Sequence, residues 1–364
     1  MGFWESRQNF HSINSIVETY FSKTREECIM KNYVWLLVGV SLLLFMAACG
    51  NSDQEVSSAE NGEWEPQEVI EIVAPAGAGG GYDTTARMAV QAFAEEGIIE
   101  QSMGVVNKVG GGGAVGWAYV ADQDGSPYHM FVTSPPFLLV PLNGQSQYGY
   151  EEFTPIANII ADYPAFAVAA DAKWDNLNEL FDDMKADPSS VTVVGTSSPG
   201  SMDHIAFAMV AKAAGVDITK IKYVSAQDNA GLTQVLNGSA DVFSTGVAET
   251  VEQVKAGNLK VLGVTSEERL EGETLEDFPT VAEQDIDASI INWRGFFGPP
   301  NMPKEAQEYY EEKFKELSES DAFADIRNRF GWGEMYMDSE ETKQYLDEQH
   351  AEFKVILEEL GLAK

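Results

Sequence analysis

From Val69 onward, short apolar runs alternate with longer amphipathic ones along the chain. The short runs have the length and the branched residues of buried strands, and the longer ones repeat their apolar residues at helical spacing. Strands that alternate with helices favour βαβ units, so the pattern predicts an α/β fold with mostly parallel sheets. The predicted strands are 69–74, 104–108, 129–135, 164–170, 191–195, 221–226, 241–246 and 259–266.

Glycine and proline residues mark the ends of several predicted helices. Gly97 stops the helix that starts at Thr84, Pro188 closes the one that starts at Leu177, and Gly215 ends a third. The tail beyond Pro303 is predicted to be helical over 308–320 and 340–361, because its apolar residues recur at helical spacing.

Two distant segments share one plan. Residues 69–87 and 191–204 each combine a buried strand, a loop rich in glycine or serine, and the first turn of a helix. In open α/β sheets, ligands bind beyond the carboxyl ends of the strands. The repeat therefore predicts two similar lobes, each directing a helix N-terminus at a common crevice.

The first glycine loop does not match a nucleotide-binding motif. A dinucleotide fingerprint that starts at Gly77 would need glycine at the sixth position, where Tyr82 stands, and no lysine follows as in a phosphate-binding loop. Glycines still allow backbone N–H groups to converge on an anion, with the positive end of the next helix behind them. The loop thus predicts a carboxylate site that works without lysine or arginine.

Two titratable residues beside these loops each permit two interpretations. Asp83 either caps the helix by accepting from N–H groups one turn on, or accepts a hydrogen bond from a ligand or a bound water. His204 lies about one turn inside the helix after the second loop. It is either a histidine satisfied by a neighbouring loop or a ligand contact.

The sequence offers no catalytic or metal-binding constellation. The four histidines lack metal-ligand spacing, no G-x-S-x-G elbow occurs, and only two cysteines, Cys28 and Cys49, are present. Acidic pairs in the tail are typical of solvated helix faces. We therefore predict a protein that is not an enzyme and that has no catalytic residue, no metal and no cofactor.

The N-terminal segment is typical of a secretory leader. After Lys31, the 16 residues of 33–48 are mostly apolar and uncharged, which is shorter than the ~20 residues that span a bilayer. Met46-Ala47-Ala48-Cys49 resembles a bacterial lipobox, which predicts lipidation at Cys49; the alternative is a free thiol after an ordinary cleavage site. Residues 1–48 are thus a predicted signal segment whose natural start is Met30, and 49–65 a predicted flexible tether.

Charge excludes some partners. With 58 acidic and 23 basic residues, the formal net charge is −35. Binding to nucleic acid or to an anionic membrane surface needs clustered lysine and arginine, so neither is predicted. The simplest interpretation of the bulk charge is solubility.

Four segments together resemble one family: "APAGAGGGYDTTAR", "NKVGGGGAVGWAYVA", "PGSMDHIAFAMVAKAAGVD" and "INWRGFFGPPNMP". They are similar to the extracytoplasmic substrate-binding proteins of the tripartite tricarboxylate transporter family, and the likeness extends from Glu68 to the C-terminus. The resemblance implies a two-lobe periplasmic-binding-protein clamshell whose lobes are joined by two crossing strands. One lobe is expected to comprise 66–162 and 293–364, and the other 163–292.

The resemblance also implies the site and the role. A di- or tricarboxylate such as citrate would be held between the two loops and passed to membrane permease subunits, one large and one small. The protein would be extracytoplasmic, at the cell surface or in the periplasm, and anchored through Cys49. A ligand-capturing sensor of a two-component system and, with less support, a clamshell-fold enzyme are the alternatives. The implied ligand-binding residues are Gly80, Gly81, Tyr82, Asp83, Thr84, Ser134, Ser197, Ser198, Gly200, Ser201, His204 and Thr245.

Overall fold

The structure, a computed structural model, describes residues 64–226 and 230–364. The predicted signal segment, Cys49 and all but the end of the predicted tether lie outside the described residues. The strands are β1 (Ile70–Ala74), β2 (Met103–Asn107), β3 (His129–Thr133), β4 (Thr154–Asp162), β5 (Pro164–Ala169), β6 (Thr192–Gly195), β7 (Lys222–Ser225), β8 (Val242–Gly246), β9 (Leu259–Val264), β10 (Asn292–Gly298) and β11 (Gly333–Met337). The helices are α1 (Gly81–Glu96), α2 (Ala114–Ala121), α3 (Pro136–Leu142), α4 (Leu177–Ala186), α5 (Met202–Ala213), α6 (Ala230–Leu236), α7 (Val247–Lys255), α8 (Lys304–Glu319), α9 (Asp321–Phe330) and α10 (Ser339–Glu359).

The strands form two sheets, which confirms the predicted α/β class. Their orders are β11-β4-β10-β3-β1-β2 and β7-β6-β8-β5-β9. Pairing is parallel from β3 through β1 to β2 and from β7 through β6 to β8, while the remaining pairs are antiparallel. The sheets are therefore mixed rather than mostly parallel, because four of the antiparallel strands, β4, β5, β9 and β10, flank the places where the chain leaves one sheet for the other.

The chain crosses between the sheets twice. β4 ends at Asp162 in the first sheet and β5 begins at Pro164 in the second, so one crossing occurs at Tyr163. The return crossing lies between β9 and β10. The strands thus fall into two groups, one in each sheet, and the expected division into lobes stays a prediction.

The burial of apolar residues at regular spacing explains why the predicted elements form. The buried face of α1 repeats at helical spacing through Ala86, Ala89 and Phe93, and Phe93 meets Phe314 of α8 edge-on at 5.1 Å. Gly97 ends α1 with a φ of 65°, a conformation that costs glycine little. Several elements that the sequence pattern had not predicted also occur, including β4, β10, β11, α3 and α9.

The folded part of the chain starts before the predicted end of the tether. Trp64 is buried, and its ring lies 5.4 Å from that of Tyr309 and 5.6 Å from that of Tyr310. Because Trp64 packs against two tyrosine rings, it belongs to the folded part of the chain and not to a flexible segment. The prediction of a tether up to residue 65 is therefore wrong at its end. Within 64–226 and 230–364, no helix has the length and apolar character needed to span a membrane.

Candidate functional site

The first glycine loop leads into α1 earlier than predicted. The helix starts at Gly81, three residues before Thr84, and its N-cap is Gly80, whose backbone is extended. The Thr84 N–H donates the first helical hydrogen bond, to the Gly80 carbonyl oxygen (2.9 Å). Gly81, Tyr82 and Asp83 thus belong to the first turn, where backbone N–H groups have no helical partner and favour an anion.

Asp83 does not cap this helix, so the capping interpretation is wrong. Its buried carboxylate reaches back and accepts hydrogen bonds from the Gly79 N–H (2.9 Å), Asn107 Nδ2 (2.9 Å) and Arg87 Nε (3.0 Å). Burial alone would raise the pKa of Asp83, but the bonds from Arg87, Gly79 and Asn107 outweigh it and lower that pKa. The carboxylate therefore fixes the loop, and Arg87 balances its charge.

Arg294 lies beside the first loop and is a candidate site residue that the sequence analysis missed. A Cβ built on Gly81 would lie only 2.5 Å from Arg294 Nη2, so the guanidinium lies directly against the first turn of α1. It is buried, lies 5.4 Å from the centre of the Tyr82 ring, and donates to Asp162 Oδ2 (3.0 Å). The structure thus places a cationic side chain beside a turn that was expected to bind an anion without one, and that expectation stays a prediction. An arginine inside the apolar segment "INWRGFF" could have indicated this arrangement, because a buried charge needs a partner.

The phenol of Tyr82 links the first loop to the end of β3. Ser134 Oγ donates to Tyr82 Oη (3.0 Å), and both side chains are buried. Burial raises the pKa of Tyr82, more than the neighbouring hydroxyl and Arg294 lower it. Thr84 is half-buried on the same turn. The structure thus brings together Tyr82 and Ser134, two of the predicted site residues.

In the second loop, Asp203 does what Asp83 does in the first. Its Oδ2 accepts from the backbone N–H groups of Thr196 (2.8 Å) and Ser197 (2.9 Å), and its own N–H donates to Ser197 Oγ (2.9 Å). Those N–H groups are therefore already bonded within the loop. Sequence reasoning missed Asp203, although its place in the repeated strand–loop–helix plan matches that of Asp83.

The rest of the second loop packs tightly. The Ser201 N–H donates to the Ser198 carbonyl oxygen (2.9 Å), and Ser201 precedes α5 as its N-cap. Gly200 has a φ of 80°, and a Cβ there would lie 3.4 Å from Asn143 Nδ2 and 3.5 Å from Leu357. This turn favours glycine because few other residues adopt its positive φ.

His204 is satisfied within its own loop. Its Nδ1 accepts from the Gly200 N–H (3.0 Å), which places the proton of the neutral ring on Nε2. The ring stacks on Tyr223 with centroids 4.5 Å apart, and burial lowers the pKa of His204 to about 4. These contacts support the structural interpretation of His204, and its role as a ligand contact stays a prediction.

The two loops remain separate in their hydrogen bonding. Among the described residues, no hydrogen bond joins the stretch 80–84 to the stretch 197–204. Thr245 is buried in β8, where it pairs with Ala165 of β5. Near the first loop, two acidic side chains from the two sheets lie close together. Asp162 and Glu249 approach each other beside Gly246, close to Arg294.

A cavity of about 520 Å³ lies elsewhere, beside the crossing segments. It contains none of the predicted ligand-binding residues. Its lining includes Tyr163, Thr265, Glu267, Arg269, Trp332 and Glu334.

Comparison with known proteins identifies relatives of this chain. The sequence model of the tripartite tricarboxylate transporter family receptors matches residues 86–362. A UPF0065 protein of Agrobacterium vitis is 28% identical over 257 residues, which are 69% of this chain and 71% of that protein. A TctC solute-binding protein from Polaromonas, solved without ligand, is 29% identical with a TM-score of 0.64, over 81% of this chain and 99% of that one.

A further solved structure shares the fold at lower identity. MatC from Rhodopseudomonas palustris, with bound malate, has a TM-score of 0.68 at 17% identity and covers 80% of this chain and 99% of its own. Together with the two crossing segments, these likenesses confirm the predicted periplasmic-binding-protein clamshell.

Proposed function

Because the chain belongs to the family of tripartite tricarboxylate transporter receptors, we propose that it captures a di- or tricarboxylate outside the cytoplasm and delivers it to the permease of such a transporter. That permease would consist of one large and one small membrane subunit. The observation that carries the proposal is the first turn of α1, where Gly81, Tyr82 and Asp83 present helix N-terminal N–H groups beside the Arg294 guanidinium. Amide dipoles and a guanidinium are a favourable pair of partners for a carboxylate.

The proposed mechanism is capture without chemistry. A carboxylate docks on the first turn of α1, and the crossing segments then allow the second sheet and its loop at 197–201 to close over the ligand. Asp83 and Asp203 contribute by fixing the two loops rather than by touching the ligand, since their carboxylates are already bonded to loop N–H groups. No reacting group is required.

The proposed location follows from the leader. A lipid on Cys49 would keep the receptor beside its permease, and the residues between Cys49 and Trp64 would give it reach. Metabolic labelling with a radioactive fatty acid tests this point, and Cys49→Ser is expected to abolish the label.

Calorimetric titration of the purified protein tests the capture of a carboxylate. We expect saturable binding of at least one acid among citrate, malate, succinate and aspartate, and no turnover of the bound acid. A protein that binds none of them would contradict the proposal. A sensor role would require the same binding, so uptake of the acid in a strain that lacks only this protein separates the two. Uptake should cease if the protein is a transport receptor and should continue through an already expressed permease if it is only a sensor.

A further inference from the structure

A cluster of charged side chains lies where the two sheets meet. Arg294 of β10 donates to Asp162 at the end of β4 (3.0 Å), and Asn292 Nδ2 donates to the same oxygen (3.2 Å). From the second sheet, Glu249 in the first turn of α7 approaches the same place. A Cβ built on Gly246 would lie 2.6 Å from Glu249 Oε2 and 3.4 Å from Asp162 Oδ2. Two carboxylates thus share one small space.

Arg294 has hydrogen-bonding capacity to spare. A guanidinium has five N–H donors, and within the described part of the chain the one to Asp162 is the hydrogen bond that Arg294 makes. Its side chain is 9% exposed, and its buried Nε has no partner. Its guanidinium also lies against Gly81, so two groups that attract anions, the helix N-terminus and the guanidinium, are next to each other.

The acidic side of the cluster also lacks partners. Asp162 Oδ1 and Asn292 Oδ1 are buried acceptors without a donor. Glu249 is exposed to solvent. Enclosure by protein and the charge of Asp162 raise the pKa of Glu249 to about 7, with Asp203 adding to the rise and Arg294 opposing it. The acidic side of the cluster is therefore suited to a hydrogen-bond donor and opposes a further negative charge.

We propose that Arg294 holds the ligand's carboxylate against the first turn of α1, and that Glu249 accepts a hydrogen bond from an ammonium or hydroxyl group on the carbon next to that carboxylate. The inference rests on the proposed function, and it narrows the ligand class to amino acids and hydroxy acids. A plain dicarboxylate would present a second negative charge, or nothing, to Glu249. Asp162 orients Arg294 and gives up part of its bond when the ligand arrives.

Three four-carbon acids test this proposal, because they differ only in the group on the carbon next to one carboxylate. Aspartate carries an ammonium group, malate a hydroxyl group and succinate neither. The full chain, kept in a mild detergent, is titrated calorimetrically with each acid at pH 8, where a carboxylate of pKa about 7 is ionised. We expect aspartate to bind at least about tenfold more tightly than succinate, with malate between them.

Substitutions at Glu249 and Arg294 test whether these two residues cause the difference in affinity between the acids. Glu249→Gln should reduce the preference for aspartate over succinate to about threefold or less. Arg294→Met should weaken the binding of all three acids about thirtyfold or more. Arg294→Lys should retain part of the affinity, because lysine keeps the charge but not the planar fork. The matched controls are Glu252→Gln on the same helix and Arg327→Met, another buried arginine; both should bind as the wild type does.

The outcomes separate this inference from the proposed function. If the wild type binds succinate as tightly as aspartate, or if Glu249→Gln and Arg294→Lys bind like their controls, the inference is overturned and carboxylate capture stands. If the wild type binds none of the acids, including citrate, both fail. Should Arg294→Met not fold, Arg294→Lys and the solvent-exposed Glu249→Gln still decide the outcome.

Discussion

At the scale of single residues, polar side chains explain the shape of the two loops better than the glycines do. Asp83 and Asp203 each reach back from a first helical turn to bond the N–H groups of the preceding loop. A loop with many glycines would otherwise lose much conformational entropy on ordering, so these bonds stabilise it in one shape. His204 does the same through Nδ1 and Gly200.

Replacing Asp83 tests its role in fixing the loop. Asp83→Ala leaves the Gly79 N–H and the Asn107 amide without their acceptor and Arg87 without its ion pair. We expect a loss of about 2–3 kcal/mol in the free energy of unfolding, measured by urea denaturation. The control, Asp182→Ala, removes an exposed pair with Lys185 and should cost less than about 0.5 kcal/mol. Equal losses in the two variants would contradict the assignment.

His204 predicts a pH dependence of stability. Its pKa falls from 6.5 in the unfolded chain to about 4 in the folded one, so the unfolded state binds the proton more readily. The contribution of the neutral ring is fully present above pH 6.5 and is lost as the pH falls through 4, by about 3 kcal/mol in all.

The check is to compare the free energies of unfolding of the wild type and His204→Asn between pH 4 and 7.5. An asparagine Oδ1 can still accept from Gly200, so the variant should lose less stability than the wild type on acidification. Parallel curves for the two proteins would refute the assignment of this pH dependence to His204.

At the scale of elements, the start of α1 determines the site. Because the helix begins at Gly81, its first free N–H groups and the Arg294 guanidinium lie side by side. The missing Cβ of Gly81 is what permits this approach. A side chain there would displace the flexible end of Arg294 without disturbing backbone.

Gly81→Ala therefore tests the close approach of Arg294 to this turn. The added Cβ would lie 2.5 Å from Arg294 Nη2 and push the guanidinium away, which should weaken carboxylate binding about tenfold. Stability should also fall, by about 1–3 kcal/mol, because the displaced guanidinium strains its buried ion pair with Asp162. Gly77→Ala is the control, since nothing lies within 4 Å of its Cβ position. Unchanged affinity of Gly81→Ala, measured by calorimetry, would contradict the close approach of Arg294.

At the scale of the whole molecule, the two sheets are linked by one crossing at Tyr163 and a second between β9 and β10. Such a connection allows the halves to rotate about a hinge. The lobe boundaries at 162/163 and 292/293 predict which residues move together.

Small-angle X-ray scattering tests this motion. Addition of a saturating carboxylate should reduce the radius of gyration of the protein, because the halves close over the ligand. Arg294→Met should show no reduction at the same ligand concentration, since it lacks the proposed anchor. A wild-type protein that binds ligand in calorimetry without any change in scattering would argue against hinge closure.

The order of residues along the chain was enough to determine the fold class, several elements and the family likeness of this protein. Alternating strand and helix patterns, and helix stops such as Gly97, depend on neighbouring residues, so they predicted β1, α1 and the α/β class correctly. The motifs that carried the family likeness are also local. Only the tertiary structure revealed the pairing of Arg294 with Asp162, which lie 132 residues apart, and the approach of Glu249 from the other sheet. The energy of burying a charge depends on what surrounds it in space. These charged partners are brought together by the crossing strands and the sheet order, so no local sequence pattern predicts their contact.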